Sequence, residues 1–322
     1  MSSENAIFGQ SCSYEKSRLI LLGAPWEVTV SYASGTVHGP KWIQQASSQL
    51  DFFDPQNKNN PSNEGIYFHY LSHLKNQNDK FRPVALKEGS LKEKQDVNQA
   101  CFQMVQDVRA QVKKVLDDEK LFGLIGGDHS VSEGALLEVG ERFQGKFGIL
   151  HFDAHADMRS AYQGFTHSHA SVMHNTLQGK HAPCQLVQVG IRDLCKEEFE
   201  KIQGDSRIHC FFDHDIKKRL FEGKSWSEIV SDILKKLPEQ IYISLDVDAL
   251  SWEYAPHTGC PVPGGLSFDQ MSYLIQQLGV SKKKIVGFDV VETARPPSHN
   301  FGEWDGNVSA RLIYKLCGAV LF

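Results

Sequence analysis

The chain predicts an α/β protein built on a mostly parallel sheet. Short apolar segments recur along it, and most are apolar at every position, as strands covered by helices on both faces are. Stretches with helical spacing of apolar residues alternate with them, which is the pattern of strand–helix–strand units. At 322 residues, 41% hydrophobic and 23% charged, the chain can bury the core of one large domain.

Taken in order, RLILLGA (18–24) reads as the first strand and GPKWIQQASSQL (39–50) as the first helix. Residues 54–92 then break the pattern. The polar turn cluster DPQNKNNPSN is followed by GIYFHYLSHL and more polar chain. Connections of that length are uncommon, so an extended surface excursion is expected, acting as a lid or an oligomer contact. EKQDVNQACFQMVQDVRAQVKKVLDDE (93–119) has helical periodicity, LFGLIGG (121–127) is a strand and SVSEGALLEVGERF (130–143) a helix. KFGILHFDA (146–154), QLVQVGIR (185–192) and IHCFF (208–212) are three further strands. SWSEIVSDILKKL (225–237) is a helix, QIYISLDVD (240–248) a strand and SFDQMSYLIQQLG (267–279) a helix. KIVGFDVVE (284–292) closes the set of strands and NVSARLIYKLCGAVL (307–321) the set of helices. No repeat or linker divides the chain, and residues 1–322 are expected to form a single domain.

The net charge of −5 offers no basic footprint for nucleic acid and no acidic tail. Seven scattered cysteines without a CxxC pair suit a reducing cytosol. No apolar run reaches membrane-spanning length, and MSSENAIFGQ lacks a signal-peptide pattern. A cytoplasmic protein with neither nucleic-acid nor membrane partners is expected.

Ligands of an open parallel sheet bind beyond the carboxyl ends of its strands. Those ends are rich in ionisable groups: Asp128 and His129 after LFGLIGG, Asp153, His155 and Asp157 after GILHF, Asp246 and Asp248 after QIYISL, and Glu292 after IVGFDVV. Two-residue spacing in DAHAD and DVD points each set to a common side of an extended backbone. Buried carboxylates repel one another unless cations balance them. Four Asp and two His suit a pair of divalent ions, with carboxylate favouring Mn or Mg and imidazole shifting the preference toward Mn, Fe, Co, Ni or Zn. Six ligands for two ions require bridging carboxylates, and such a pair lowers the pKa of a shared water toward neutrality. Taken alone, DxHxD, GGDHS or SLDVDAL is as readily a turn or a helix cap. Their joint occurrence at strand ends carries the metal reading.

GGDHS, HFDAHAD, SLDVDALSWEYAPHTGCPVPGGL and GFDVVE resemble, in this order, the motifs of the ureohydrolase superfamily of arginases, agmatinases and formimidoylglutamases. GAPWEVTVSYASGTVHGPKWI and QVGIRD extend the resemblance over most of residues 18–316. SHASVM (168–173) and TGCPVPGGL (258–266) bring it closest to the agmatinase branch. The resemblance implies a three-layer α/β/α sandwich and two Mn(II) ions, for which Co(II) or Ni(II) are alternatives. It assigns His129, Asp153, Asp157 and Asp246 to one ion and Asp153, His155, Asp246 and Asp248 to the other, with Asp153 and Asp246 bridging. Asp128 is left as a turn or supporting residue, and His151 as a core histidine.

The resemblance also implies roles outside the metal shell. Glu292 holds the guanidinium through charge-assisted hydrogen bonds, and His169 supplies a proton to the leaving amine. His167 is a second histidine that can contact substrate, and His174 is a solvated one. Arg159 either reads a substrate carboxylate as a bidentate fork or forms a salt bridge over the loop. Trp26, Tyr32 and His38 are expected near one side of the pocket, and Cys260 packs on another without acting as a nucleophile. The implied reaction is hydrolysis of a guanidino C–N bond, with agmatine giving putrescine and urea. The alternative substrates are a guanidino acid such as 4-guanidinobutyrate, formimidoylglutamate or arginine. A homo-oligomer, trimer or hexamer, is implied as well.

Two rival readings fit less well. A two-metal phosphoesterase needs an Asn–His ligand motif, and no Asn here is followed by His. A metal-bound protein without turnover would show a gap among the ligands, the proton carrier and the guanidinium-binding carboxylate, and none is missing.

Overall fold

The computed structural model describes residues 5–87, 89–294 and 303–322. Eight strands form one sheet: β1 (Leu19–Ala24), β2 (Ile66–Tyr70), β3 (Leu121–Gly126), β4 (Gly148–Phe152), β5 (Gln185–Val189), β6 (Ile208–Phe211), β7 (Gln240–Asp246) and β8 (Lys284–Val291). Their order is β2-β1-β3-β8-β7-β4-β5-β6, and every pairing is parallel. All seven expected strands are present.

Alternation along the strands feeds two cores, one on each face of the sheet. Leu19, Leu21, Ile241, Ile243 and Leu245 face a layer built from α1 (Gly39–Ala46), α7 (Asp213–Phe221), α8 (Trp226–Lys236), α9 (Phe268–Val280) and α10 (Glu303–Leu321). Ile20, Leu22, Ile149 and Tyr242 face a layer of α2 (Ser72–Ala85), α3 (Leu91–Asp117), α4 (Ser132–Phe143), α5 (Val172–Gln178) and α6 (Lys196–Gly204). The result is the three-layer α/β/α sandwich. No helix among the described residues is long and apolar enough to cross a membrane.

The expected excursion at 54–92 is replaced by structure. IYFHY forms the edge strand β2, paired with β1 from Leu19↔Ile66 to Gly23↔Tyr70. Residues 72–85 form α2 despite Pro83 in its last turn, where the lost backbone donor costs one helical bond. Leu71 and Leu74 are buried in the second core. Half-buried Tyr67, His69 and Tyr70 in the strand and a mostly polar helix after it weaken the apolar pattern, which hides both.

Candidate metal centre and active site

β3, β8, β7 and β4 are consecutive neighbours in the sheet, although their order in the chain is 3, 8, 7, 4. Their carboxyl ends therefore bring His129, Glu292, Asp246 and Asp153 to one stretch of rim. The ligand runs are not extended there. β4 ends at Phe152, Asp157 adopts φ 53°, and Asp248 lies in a short 3-10 turn, Val247–Ala249. Convergence comes from tight turns just past the strands, a correction to the simple two-residue alternation.

Backbone N–H groups hold one oxygen of three carboxylates. His155 N donates to Asp153 Oδ1 (2.6 Å), Asp248 N to Asp246 Oδ1 (2.8 Å) and Ala154 N to Asp248 Oδ1 (2.9 Å). Around His129 Nδ1 stand Asp153 Oδ2 at 3.1 Å, Asp157 Oδ2 at 3.1 Å and Asp246 Oδ2 at 3.5 Å. That nitrogen is buried and makes no hydrogen bond to any of them. A second group joins Asp153 Oδ1, 3.5 Å from His155 Nδ1, and Asp248 Oδ2, 2.9 Å from the same nitrogen. Asp153 thus presents one oxygen to each group. Asp246 stands with the first.

The charge balance at this cluster favours cations. Burial and the adjacent Asp153 push the Asp157 carboxyl up to about 6. Burial, then Asp248 and Asp153, raises Asp246 well above the carboxylate range, and burial with Asp128 does the same to Glu292. Burial opposes a charge on His129, yet its carboxylate neighbours raise it well above the usual imidazole range. The cluster holds more negative charge than its surroundings compensate, so it takes up protons. Ligand oxygens and a nitrogen about 3 Å apart match neighbouring positions around a six-coordinate ion with bonds near 2.1 Å. The residues present fit a divalent metal pair, which would take the place of those protons.

One row deeper, a polar ladder crosses the sheet. Gln188, His151, Ser244 and Asp289 are cross-strand partners on β5, β4, β7 and β8, each fully buried. Ser244 Oγ donates to Asp289 Oδ1 (3.0 Å), so its lone pair accepts from His129 Nε2 (2.9 Å). That keeps the Nε2 proton in place, so the neutral His129 ring has Nδ1 as its unprotonated nitrogen, the form a metal ligand needs. Gln188 Nε2 donates to His151 Nδ1 (3.0 Å), which leaves His151 Nε2–H to donate to Asp153 Oδ2 (2.8 Å). His151 is a core histidine, and it also steers a metal-facing carboxylate. Nothing in strands of apolar appearance signalled this row.

Above the cluster lies a cavity of about 480 Å³. His155, Asp157, Asp246, Asp248, Glu292, His169 and Arg159 all line it. Glu292 has φ 63°, a left-handed conformation unusual outside glycine, held by its N–H to Gly127 O (2.8 Å). Its Oε1 accepts from His129 N (2.9 Å), and Oε2 lies where a side chain at Gly259 would strike it, 2.7 Å from a built Cβ. His169 opens a short 3-10 turn, and its Nδ1 has no partner. Burial, with His155 and His129 alongside, pushes that imidazole down to about 3, so it is neutral.

Arg159 sits over the Tyr162 ring at 5.0 Å, with Nε 3.7 Å from Glu198. His167 does not line the cavity. Its Nδ1 contacts Glu133 at 2.9 Å and its ring lies 5.6 Å from Phe102. Tyr32 lines the rim, Trp26 is fully buried in the core, and His38 packs against Trp42. Cys260 lines the wall, its thiol pushed up to about 12 by burial and Glu292. Asp128 caps the turn that begins with His129, accepting from Ser130 N (3.0 Å). Arg192, unassigned from sequence, donates to Asp248 O (2.6 Å), Val262 O (3.0 Å) and Pro263 O (3.1 Å), tying the Asp248 turn to the next wall. Its position in QVGIRD was the available signal.

Comparison with known proteins agrees with this geometry. The model of the arginase family matches residues 17–321. An N(1)-aminopropylagmatine ureohydrolase of Thermus thermophilus is 31% identical over 313 residues, covering 97% of this chain and 94% of that protein. A mitochondrial arginase 1 of Oryza sativa is 30% identical over 306 residues, covering 95% and 82%. The solved structure of agmatine ureohydrolase from Thermoplasma volcanium superposes with a TM-score of 0.75 at 23% identity, covering 99% and 95%. The chain belongs to the arginase family of binuclear metal-dependent hydrolases, which act on C–N bonds of linear amidines.

Proposed function

We propose that this protein hydrolyses the guanidino group of a linear guanidino-amine, with agmatine, giving putrescine and urea, as the leading substrate and its aminopropyl extension next. The observation that carries this reading is the sign of charge at the cavity mouth. Beyond the metal-facing residues, the walls present Asp193, while the buried Glu198, whose oxygens accept from Met158 N and Cys195 N, offsets the charge of Arg159. A distal ammonium is matched there and a distal carboxylate is opposed. The relatives named for guanidino-amines support it. The guanidino acid, formimidoylglutamate and arginine are the remaining alternatives.

The proposed ligand roles are those the resemblance implies: His129, Asp153, Asp157 and Asp246 would hold one ion, and Asp153, His155, Asp246 and Asp248 the other. Mn(II) is the proposed metal, and Co(II) or Ni(II) suit the same donors. When bound, such ions act as Lewis acids and bring water ionisation toward neutral pH. Glu292 keeps Oε2 for the guanidinium N–H groups and fixes the planar carbon over the cluster. His169, neutral at rest, takes the first proton that the attacking water loses and passes it to the leaving amine; the second leaves the same oxygen as the urea carbonyl forms and also ends on the amine, so that R–NH–C(NH2)2+ and water become R–NH3+ and urea. Arg159 shapes the mouth through Glu198 and the Tyr162 ring, and His167, turned to Glu133, acts only through the loop that carries His169. All seven cysteines are free, in keeping with the cytoplasm, and a trimer or hexamer is the proposed assembly.

The test is product release by Mn-loaded protein from agmatine, aminopropylagmatine, 4-guanidinobutyrate, arginine and formimidoylglutamate side by side. Preference for either guanidino-amine supports the reading. Preference for an acid overturns it and makes Arg159 the carboxylate reader.

A further inference from the structure

We propose that Arg82, assisted by Asn78, is a positioning residue that holds the pocket wall formed by residues 27–37 and thereby sets how tightly substrate is bound. The proposal rests on reading the cavity as the guanidine-hydrolysing site. Residues 25–35 connect β1 to the 3-10 turn Thr36–His38 with no helix or strand of their own, so their backbone groups need other partners. Arg82 supplies them from α2, and its residue is only 8% exposed. Nη1 donates to Val28 O (3.1 Å) and Val30 O (2.5 Å), and Nη2 donates to Ser34 Oγ (2.8 Å). One turn earlier, Asn78 Oδ1 accepts from Glu27 N (2.7 Å). The Glu27 carboxylate closes the loop on itself, accepting from Gly35 N (2.6 Å), Val37 N (3.2 Å) and Thr36 Oγ1 (3.3 Å).

What this clamp holds faces the substrate. Val30, Ser31 and Tyr32 line the cavity. Ala33 N donates to Gly259 O (3.2 Å), joining the loop to the opposite wall, and His169 N donates to Thr29 Oγ1 (3.4 Å). Among the described residues, no metal-facing side chain is hydrogen-bonded to residues 27–37; the turn that carries His129 meets the chain just before them, Asp128 N donating to Trp26 O (2.8 Å). A guanidinium reaches two carbonyls and a hydroxyl at once because its donors form a planar fork, which an ammonium does not reproduce. Residues 72–85, which supply none of the metal-facing side chains, thus have a role in the site through one buried side chain.

The experiment compares full-length, metal-loaded wild type with Arg82→Met, Arg82→Lys and Ser34→Ala, reading metal content, hydrogen exchange of the backbone and kinetics with agmatine. Arg82→Met should speed exchange in 27–37 by about tenfold or more while the β4 amides keep their protection. It should raise KM by about tenfold with kcat changed by less than about threefold and two metal equivalents retained. Arg82→Lys should recover part of both effects. Unchanged exchange in 27–37 overturns the clamp, and an unchanged KM with faster exchange overturns its role in binding. If Arg82→Met does not fold, Ser34→Ala must show the same two changes in smaller degree, and their absence overturns the proposal. Failure of wild type to turn over any guanidino compound would count against the reaction, whereas the exchange arm still decides the clamp.

Discussion

At the level of single residues, the tautomer of His129 carries more of the account than any distance to a carboxylate. Asp289 accepts a hydrogen bond from the Ser244 hydroxyl and Ser244 accepts one from His129 Nε2–H, so Nδ1, facing three carboxylate oxygens, is the nitrogen the neutral ring offers to a metal. Removing the hydroxyl in Ser244→Ala should free the ring and weaken metal affinity by about 10–100-fold, with turnover recovered at high Mn(II). Metal titration followed by calorimetry checks this, and equal affinity would leave Ser244 without the role given to it. Asp157 makes a pH prediction. Its folded value of about 6 lies above the ordinary carboxylate value of about 3.9 in an unfolded chain. Between those values the folded metal-free protein binds the extra proton, so its stability falls as pH rises through that window. Metal competes with the same proton and should remove or reverse the slope, which melting curves with and without Mn(II) would show. The clustered Asp and His residues were legible in sequence because such groups at strand ends are chemically conspicuous. Ser244, Asp289, Gln188 and His151 were not, because nothing in a strand's sequence says that four neighbours form one row.

At the level of elements, continuous apolar runs gave away seven strands, since a strand buried on both faces has no polar position to hide in. β2 and α2 were missed for the converse reason: β2 is an edge strand with half-buried tyrosines and histidine, and α2 is polar on most of its surface. The short α5, α6 and α7 offer too few turns for a periodicity to emerge. If 54–92 were a detachable excursion, its residues would tolerate truncation. In the structure Leu74 of α2 is fully buried. Leu74→Ala should therefore cost about 2–5 kcal/mol of stability. Denaturant unfolding that shows no loss would return the segment to the status of a surface loop. The turns that follow β4 and β7 make the same point at smaller scale: spacing named the right residues, but left-handed Asp157 and the 3-10 turn at Asp248 do the converging.

For the whole molecule, the sheet order turns four separated motifs into one site. β3, β8, β7 and β4 lie side by side, so candidate site residues from His129 to Glu292 meet on a single rim. That contiguity could not be read from the sequence, which shows only that the motifs share a kind of strand end. The fold class and the residues that gather at the candidate site, Glu292 among them, were legible; the lining of the cavity mouth was not, because Asp193, Glu198 and the Arg82-held loop are brought together only in three dimensions. The measurement that tests the central claim most directly is urea release from agmatine as a function of Mn(II) added to metal-stripped protein. The account predicts activity that rises to a plateau at two equivalents per chain and is absent in Asp153→Asn, whose side chain faces both metal groups. A plateau at one equivalent, or near-normal turnover in Asp153→Asn, would contradict it.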